Sequence, residues 1–190
     1  MKAIALGITL SLSGLAAAQV LGVRLGVHST CPDGLGGCWS GPYEALSDLK
    51  DITVSPKCDY SRWMALAKTA GGRLPNMDEI DRVVTRAGQF FSVRGYEVTA
   101  KGFLLTRAGQ LYLSIPTEMS PLLLVPAVQG HEWDPGKGSE RPLTKEQTAA
   151  YSKLPKRRPS KPLVLTGWLR RPKGQGSLAI EVTDFRLLER

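Results

Sequence analysis

The sequence contains none of the short catalytic signatures that would mark it as an enzyme. It has no G-x-S-x-G, no H-E-x-x-H and no phosphate-binding loop, the patterns of α/β-hydrolases, zinc peptidases and nucleotide hydrolases. Histidine occurs only twice, as His28 and His131. His131 begins the tetrapeptide HEWD, but an isolated cluster of this kind in a polar loop is more often simply hydrated than catalytic. We therefore expect a protein that is not an enzyme.

Long apolar runs, heptads and collagen-like repeats are also missing, which excludes multi-span membrane proteins, coiled coils and collagens. Over 190 residues, 42% are hydrophobic and 22% are charged, as in ordinary globular proteins. Glycine (20) and proline (13) are both frequent. This composition favours turns and short strands over a helical bundle.

The first 18 residues have the layout of a secretory signal peptide. Lys2 precedes an apolar stretch, and Ala16, Ala17 and Ala18 supply small residues for cleavage. The stretch is shorter than the roughly 20 apolar residues of a membrane-spanning helix. We expect cleavage near Ala18–Gln19, no transmembrane segment afterwards, and a periplasmic or secreted protein.

Export changes the interpretation of the three cysteines, because thiols outside the cytoplasm tend to oxidise. The favoured hypothesis is a disulfide between Cys31 and Cys38, which would close a glycine-rich loop. One alternative is a metal site formed by His28, Cys31 and Cys38, since thiolates and imidazole suit copper(I) or zinc, and another is that the thiols stay free. We expect no cofactor unless the metal alternative holds. Cys58 is either buried or paired instead.

Apolar periodicity predicts that the first half alternates between strands and helices. Asn76 is a suitable cap for the second helix, and Gly88 suits its end. The predicted order is strand 21–27, glycine-rich loop 29–41, helix 42–50, strand 52–54 ended by Pro56, strand 60–68, helix 77–87 and strand 90–98. This order is the βαββαβ pattern of ferredoxin-like domains.

The second half has more strands and one helix. Thr144 and Gln147 form a candidate capping box at the start of that helix. The predicted order is strand 96–106, strand 111–115, apolar run 121–126, loop 127–142, helix 144–154, strand 163–169 and strand 177–188. Five strands with a helix in the middle are typical of a compact OB-type barrel.

The stretch GVHSTCPDGLGGCWSGPYEALSDLKDITVSP, followed by GGRLPNMDEIDRVVTRAG, resembles a heavy-metal-associated domain. That family binds a soft metal through a close C-x-x-C, whereas here six residues separate Cys31 from Cys38. The resemblance therefore implies the fold but not the family's metal site. The C-terminal half resembles OB-type barrels of exported and nucleic-acid-binding proteins, a group with many functions.

The excess positive charge lies in the last 40 residues. Residues 151–190 hold ten Lys and Arg against three Asp and Glu, whereas residues 1–150 hold 15 against 14. The basic groups would neutralise phosphates and Trp168 would stack a base; the alternative is a solvated rim near anionic lipid or polymer. The predicted ligand-binding residues are Arg157, Arg158, Lys161, Trp168, Arg170 and Arg171.

The sequence thus predicts an α+β protein with a signal peptide at 1–18, a ferredoxin-like domain at 19–95 and an OB-like β-barrel at 96–190. The predicted function is non-enzymatic binding of an anionic polymer, a nucleic acid or a membrane surface. The alternative is a cell-envelope metal-binding protein that uses His28, Cys31 and Cys38.

Overall fold

The computed structural model describes residues 19–155, 162–171 and 178–188. These residues form a mixed α and β structure in which sheet predominates. The strands are β1 (Val20–Ser29), β2 (Ile52–Asp59), β3 (Met64–Thr69), β4 (Phe91–Arg107), β5 (Gln110–Ser114), β6 (Leu122–Pro126), β7 (Trp133–Asp134), β8 (Ser139–Glu140), β9 (Leu163–Arg170) and β10 (Ala179–Leu187). The helices are α1 (Gly34–Cys38), α2 (Ser40–Ser47), α3 (Met77–Ala87) and α4 (Lys145–Ala149), with 3₁₀ turns at Ala70–Gly72 and Tyr151–Lys153.

The first four strands pair in the order β2-β3-β1-β4, and every pair is antiparallel. Alternation along β1 places Val23, Leu25 and Val27 in the core, where none has exposed surface. Helices α2 and α3 contact each other and the sheet. Their buried residues, which include Leu46 and Val84, cover the same core.

The remaining long strands form a closed circuit of pairings. β4 pairs with β5, β5 with β6, β6 with β10, β10 with β9, and β9 with β4 again. Only the β6–β10 pair is parallel. Leu104, Leu113, Leu124, Leu165 and Ile180 point into the core from these five strands and are at most 1% exposed.

β4 belongs to both groups of strands. Its residues 91–100 pair with β1, and its residues 97–102 also pair with β9. The separate strands predicted at 90–98 and 96–106 are therefore one strand of 17 residues. The predicted domain boundary at residue 95 falls inside this strand, and the division into two domains stays a prediction.

Two local expectations were wrong. The glycine-rich loop contains a short helix, α1, whose Leu35 is buried at 2% exposure. Pro56 does not end β2, which continues to Asp59. β2 lies at the edge of the sheet, and its register with β3 is irregular between Val54 and Cys58. A proline without an N–H is tolerated at such a place because no ladder hydrogen bond is lost.

The predicted helix caps are confirmed. The side chain of Asn76 accepts a hydrogen bond from the Glu79 N–H at the start of α3. Thr144 and Gln147 form the reciprocal capping box of α4. These caps depend on residues three positions apart, so they can be recognised locally.

The predicted signal peptide at residues 1–18 lies outside the described residues. Within residues 19–155, 162–171 and 178–188, none of the helices combines the length and the apolar character that a membrane span requires.

Candidate functional site

Cys31 and Cys38 are joined in a disulfide, with their Cα atoms 6.7 Å apart. The favoured expectation for these two residues is therefore confirmed. The bridge ties the beginning of the glycine-rich segment to the last residue of α1. Between the two cysteines, Leu35 anchors the closed loop to the hydrophobic core. The pairing agrees with the expected extracytoplasmic compartment.

The metal-ligand set predicted from the sequence is not brought together. The Sγ atoms of Cys31 and Cys38 and a carboxylate oxygen of Asp33 lie within 4.8 Å of one another, and His28 is not part of this group. The His28 ring instead lies against Trp63 and Trp133, with centroid distances of 6.2 Å and 5.5 Å. While the disulfide is intact, neither sulfur can serve as a thiolate ligand.

Cys58 is the free cysteine of the described residues, and it is buried. Its thiol donates a hydrogen bond to the carbonyl of Met64 at 3.2 Å. Burial, together with the nearby Asp59 carboxylate, raises the pKa of this thiol to about 12. A thiol that stays protonated at neutral pH is a poor nucleophile and a poor metal ligand, so Cys58 is a core residue.

A row of paired residues crosses five strands where the two groups of strands meet. Arg24 pairs with Leu66 and Glu97, and Trp168 pairs with Glu97 and Glu181. Residues opposite one another on neighbouring strands share a face of the sheet. This face is opposite to the one that carries the core residues, because side chains alternate along each strand.

Two buried carboxylates of this row are neutralised by arginines. Glu97 is 7% exposed and lies 2.7 Å from Nη1 of Arg24. Burial raises the pKa of the Glu97 carboxyl, and the Arg24 guanidinium opposes the shift. Glu181 is 5% exposed, lies 3.0 Å from Nη1 of Arg170 and accepts a hydrogen bond from the Val128 N–H. The first pair joins β1 to β4 and the second joins β9 to β10, and Glu181 also holds the chain at Val128.

The segment 127–142, which we call the crossing segment, covers the middle of this row. The sequence predicts a loop at 127–142, but the segment contains the hairpin of β7 and β8. It connects β6 to α4 and is tied to the β2–β3 turn by two hydrogen bonds. The Trp133 N–H donates to the Arg62 carbonyl at 3.0 Å, and Arg141 donates to the Ser61 carbonyl at 3.1 Å.

The charged side chains of the HEWD tetrapeptide are engaged within the protein. Glu132 lies 3.2 Å from Arg24 and 3.5 Å from Arg62. Nδ1 of His131 lies 3.6 Å from the Glu140 carboxylate, and its ring packs edge-on against Trp168 at 4.9 Å. This arrangement fastens the crossing segment to the sheet, and it gives no support to a catalytic role for His131.

The predicted ligand-binding residues divide into three groups. Trp168 is 2% exposed beneath the crossing segment, so its ring offers no open face for a stacked base. Arg170 and Arg171 already lie 3.0 Å from Glu181 and 2.8 Å from Asp78. The last group, Arg157, Arg158 and Lys161, lies outside the described residues.

The predicted basic residues stand on both sides of β9 in the sequence. Arg157, Arg158 and Lys161 precede Leu163, whereas Arg170 ends the strand and Arg171 follows it. Because the first three lie outside the described residues, the expectation that all five present one basic surface stays a prediction.

A cluster of aromatic rings and one arginine, which sequence reasoning missed, lies where the crossing segment meets β1 and β4. The rings of Trp63 and Trp133 are stacked, 5.6 Å apart and inclined by 29°. The Cζ atom of Arg94 lies 5.1 Å from the centre of the Trp133 ring. Trp63 has a positive φ of 50°, which is uncommon for a bulky residue and marks a constrained turn. Only the HEWD tetrapeptide gave a local signal for this cluster.

Two open grooves lie elsewhere. One, of about 800 Å³, is bordered by residues 48–52, 69–76 and 116–117. The other, of about 480 Å³, lies between α4 and β10 and is lined by Glu97, Glu146, Thr166 and Asp184 among others. The charges around each groove are mixed, so neither groove selects a ligand class by itself.

Searches against known proteins return nothing for this chain: no family model, no curated protein and no solved structure matches it. Its function must therefore be inferred from its own residues and geometry.

Proposed function

We propose that this protein is an extracytoplasmic, non-enzymatic binding protein. A ferredoxin-like half precedes an OB-like barrel, and the basic segment 156–161 between α4 and β9 binds an anionic polymer. The observation that carries the proposal is the concentration of positive charge in residues 151–190, which contain ten Lys and Arg but only three Asp and Glu. Basic groups clustered in this way attract polyanions and make binding depend on salt.

The strand order supports the proposed architecture. The order β2-β3-β1-β4, with helices after β1 and after β3, is that of a ferredoxin-like βαββαβ unit. The circuit β4-β5-β6-β10-β9 is a five-stranded ring, and in chain order α4 lies between its third and fourth strands, β6 and β9. This arrangement favours the OB type of barrel. The disulfide supports export.

The proposal leaves out two of the predicted arginines. Arg170 and Arg171 are paired with carboxylates of their own chain. Freeing Arg170 would leave the buried Glu181 without its partner, which is costly. The proposal therefore rests on Lys156, Arg157, Arg158 and Lys161, and the disulfide-closed loop plays no part in it.

The test is binding of single-stranded DNA and of heparin over a range of salt concentrations. The variant K156S/R157S/R158S/K161S removes four positive charges. We expect it to lose most of its affinity at low salt. About 0.7 counterion is released for each phosphate contact on a single strand. Losing up to four contacts should therefore make the slope of log K against log salt less steep by up to about 3.

A matched control removes the same charge elsewhere. The variant K50S/K57S/K68S/R86S replaces four exposed basic residues of the first half, and we expect its slope to stay close to that of the wild type. Equal losses in both variants would show a general charge effect and contradict the proposal. Absence of binding at low salt would reject it, and binding to anionic vesicles without binding to DNA or heparin would point to a membrane surface instead.

A second candidate function is metal binding by the reduced protein. It is favoured by the grouping of Cys31, Asp33 and Cys38 within 4.8 Å. Two thiolates and a carboxylate suit zinc, whereas copper(I) prefers the sulfurs. Titration of the reduced protein with Zn²⁺ should give one site that Cys31→Ser abolishes and Asp33→Asn weakens. Equal binding by the oxidised protein would contradict this candidate.

A further inference from the structure

Arg94 occupies a position that the pairing of β1 with β4 leaves without a partner. In the register of these strands Gly26 is opposite Gly95 and Val27 is opposite Val93, so Arg94 is the extra residue of a β-bulge. Bulges re-aim a side chain out of the regular pleat and often lie beside binding sites. Here the bulge directs the guanidinium onto the face of Trp133.

The guanidinium of Arg94 has no hydrogen-bond acceptor among the described residues. Its Nε, Nη1 and Nη2 atoms are buried, and none of them forms a hydrogen bond there. Burial lowers the pKa of this group, and only the Glu140 carboxylate acts in the opposite direction. A buried charge with five unused donors is costly, and contact with one ring offsets only part of that cost.

Arg94 lies close to aromatic rings and to the Glu140 carboxylate. Trp63 and His28 both contact Trp133, the ring that the guanidinium lies on. Glu140 is engaged by His131 and by the side-chain amide of Gln129, so it is held by other groups. A ligand that supplies two acceptor oxygens would fill the vacant bonding capacity of Arg94, and an apolar body would cover the rings.

The crossing segment covers this cluster, and its residue His131 packs against two glycines of the sheet. A β-carbon on Gly26 would lie 2.9 Å from the His131 carbonyl oxygen, and one on Gly95 would lie 2.9 Å from the His131 ring. The ion pairs that hold the segment join Glu132 to Arg24 and Arg62, whose side chains are 33% and 47% exposed. Such partly exposed ion pairs contribute little. Lifting the segment also breaks the two hydrogen bonds to the β2–β3 turn, but no residue from 128 to 142 belongs to the hydrophobic core, so the segment can lift without breaking that core.

We propose that Arg94 is the anchor of a binding site for a small organic carboxylate with an aromatic or apolar body. The site is reached when the crossing segment lifts from β1 and β4. The carboxylate takes the planar donor fork of Arg94 in a bidentate arrangement, and the body lies against Trp63 and His28. The carboxylate of Glu140, which is opposite Trp133 in the β7–β8 hairpin, disfavours multiply charged anions such as phosphate.

The test is isothermal titration of the full chain with benzoate, with benzamide as the uncharged counterpart and inorganic phosphate as the tetrahedral anion. We expect wild-type protein to bind benzoate and to bind benzamide and phosphate at least tenfold more weakly. Arg94→Met should abolish benzoate binding. Arg94→Lys keeps the positive charge but lacks the planar donor fork, so it should bind benzoate several-fold more weakly than the wild type. This second variant keeps the test usable if Arg94→Met fails to fold.

The role of the cover is tested by Gly26→Ala against Gly22→Ala. Both glycines lie on β1, but a β-carbon on Gly22 has no atom within 4 Å. The added β-carbon of Gly26→Ala should increase the fraction of molecules in which the crossing segment is lifted, and the apparent affinity rises in proportion to that fraction. Gly26→Ala should therefore bind benzoate more tightly than the wild type, and Gly22→Ala should not. Equal affinity in the two variants would overturn the lifting step.

Three further outcomes decide the site itself. Absence of benzoate binding by both the wild type and Gly26→Ala would overturn the proposal, as would undiminished binding by Arg94→Met. Benzoate binding should be unchanged in K156S/R157S/R158S/K161S, because the proposed polyanion segment is not part of this site. Failure of one proposal is therefore distinguishable from failure of the other.

Discussion

Reduction of the Cys31–Cys38 disulfide should lower the free energy of unfolding by an amount that its loop size sets. The cysteines are seven positions apart. The chain-entropy relation for a loop of this size gives about 2.4 kcal/mol at 25 °C, which is roughly a 60-fold change in the folding equilibrium. For a chain of this length the midpoint of thermal unfolding should fall by about 5–10 °C.

The structure also bounds the effect from above. Helix α1 lies within the closed loop, and its Leu35 is 2% exposed. If α1 detached when the bridge was reduced, the loss of that buried side chain would add about 2–3 kcal/mol. If reduction lowers the free energy of unfolding by about 2.4 kcal/mol, α1 stays docked without the bridge. If the decrease is about 5 kcal/mol, the bridge is what holds α1 in place.

The assay is urea unfolding of the oxidised and reduced protein, followed by tryptophan fluorescence in a Cys58→Ser background that prevents disulfide exchange. Leu35→Ala is measured in both redox forms. If α1 stays docked, this substitution costs the same 2–5 kcal/mol in each form, to within about 0.5 kcal/mol. A stability difference below about 1 kcal/mol between the oxidised and reduced forms, or a more stable reduced form, would refute the reasoning.

Three other predictions follow from single side chains. Because burial raises the pKa of Cys58 to about 12, a thiol reagent should label the native protein only slowly at pH 8, and should find one thiol in urea and three after reduction. Burial raises the pKa of the Glu97 carboxyl in the folded state above its ordinary value of 4.5. Between these two values the folded state holds a proton that the unfolded state has lost. The free energy of unfolding of the wild type should therefore fall as the pH rises from 4.5 through the folded-state pKa. Glu97→Gln has no carboxyl at this position and lacks this fall. Urea unfolding at several pH values should show that the difference in the free energy of unfolding, wild type minus Glu97→Gln, decreases as the pH rises. An increase in that difference would contradict the assignment. Asn76→Ala removes the cap of α3 and should cost about 1 kcal/mol by urea unfolding, whereas Asn76→Asp should cost little.

The elements that could be predicted are those whose signals lie within a few residues. Alternation of apolar and polar residues identified β1, because the strand period of two is visible in the sequence itself. The limits of α3 followed from Asn76 and Gly88 in the same way. The pairing of Cys31 with Cys38 followed from short spacing together with an expected oxidising compartment.

The elements that were missed depend on strand register. A bulge such as that at Arg94 exists only relative to the opposite strand, so no local pattern marks it. β4 was divided into two strands because its pairing partners change along its length. The hairpin of β7 and β8 has two residues per strand, too few to give a period.

Sequence alone determined the alternation of strands and helices, the pairing of two cysteines and the accumulation of basic residues in the last 40 positions. Only the tertiary structure decided which of those residues face a partner within the protein. Trp168 became a buried neighbour of His131, and Arg170 and Arg171 became partners of Glu181 and Asp78. The reason is that burial and charge pairing depend on which elements the fold brings into contact, whereas composition records only that the charges are present.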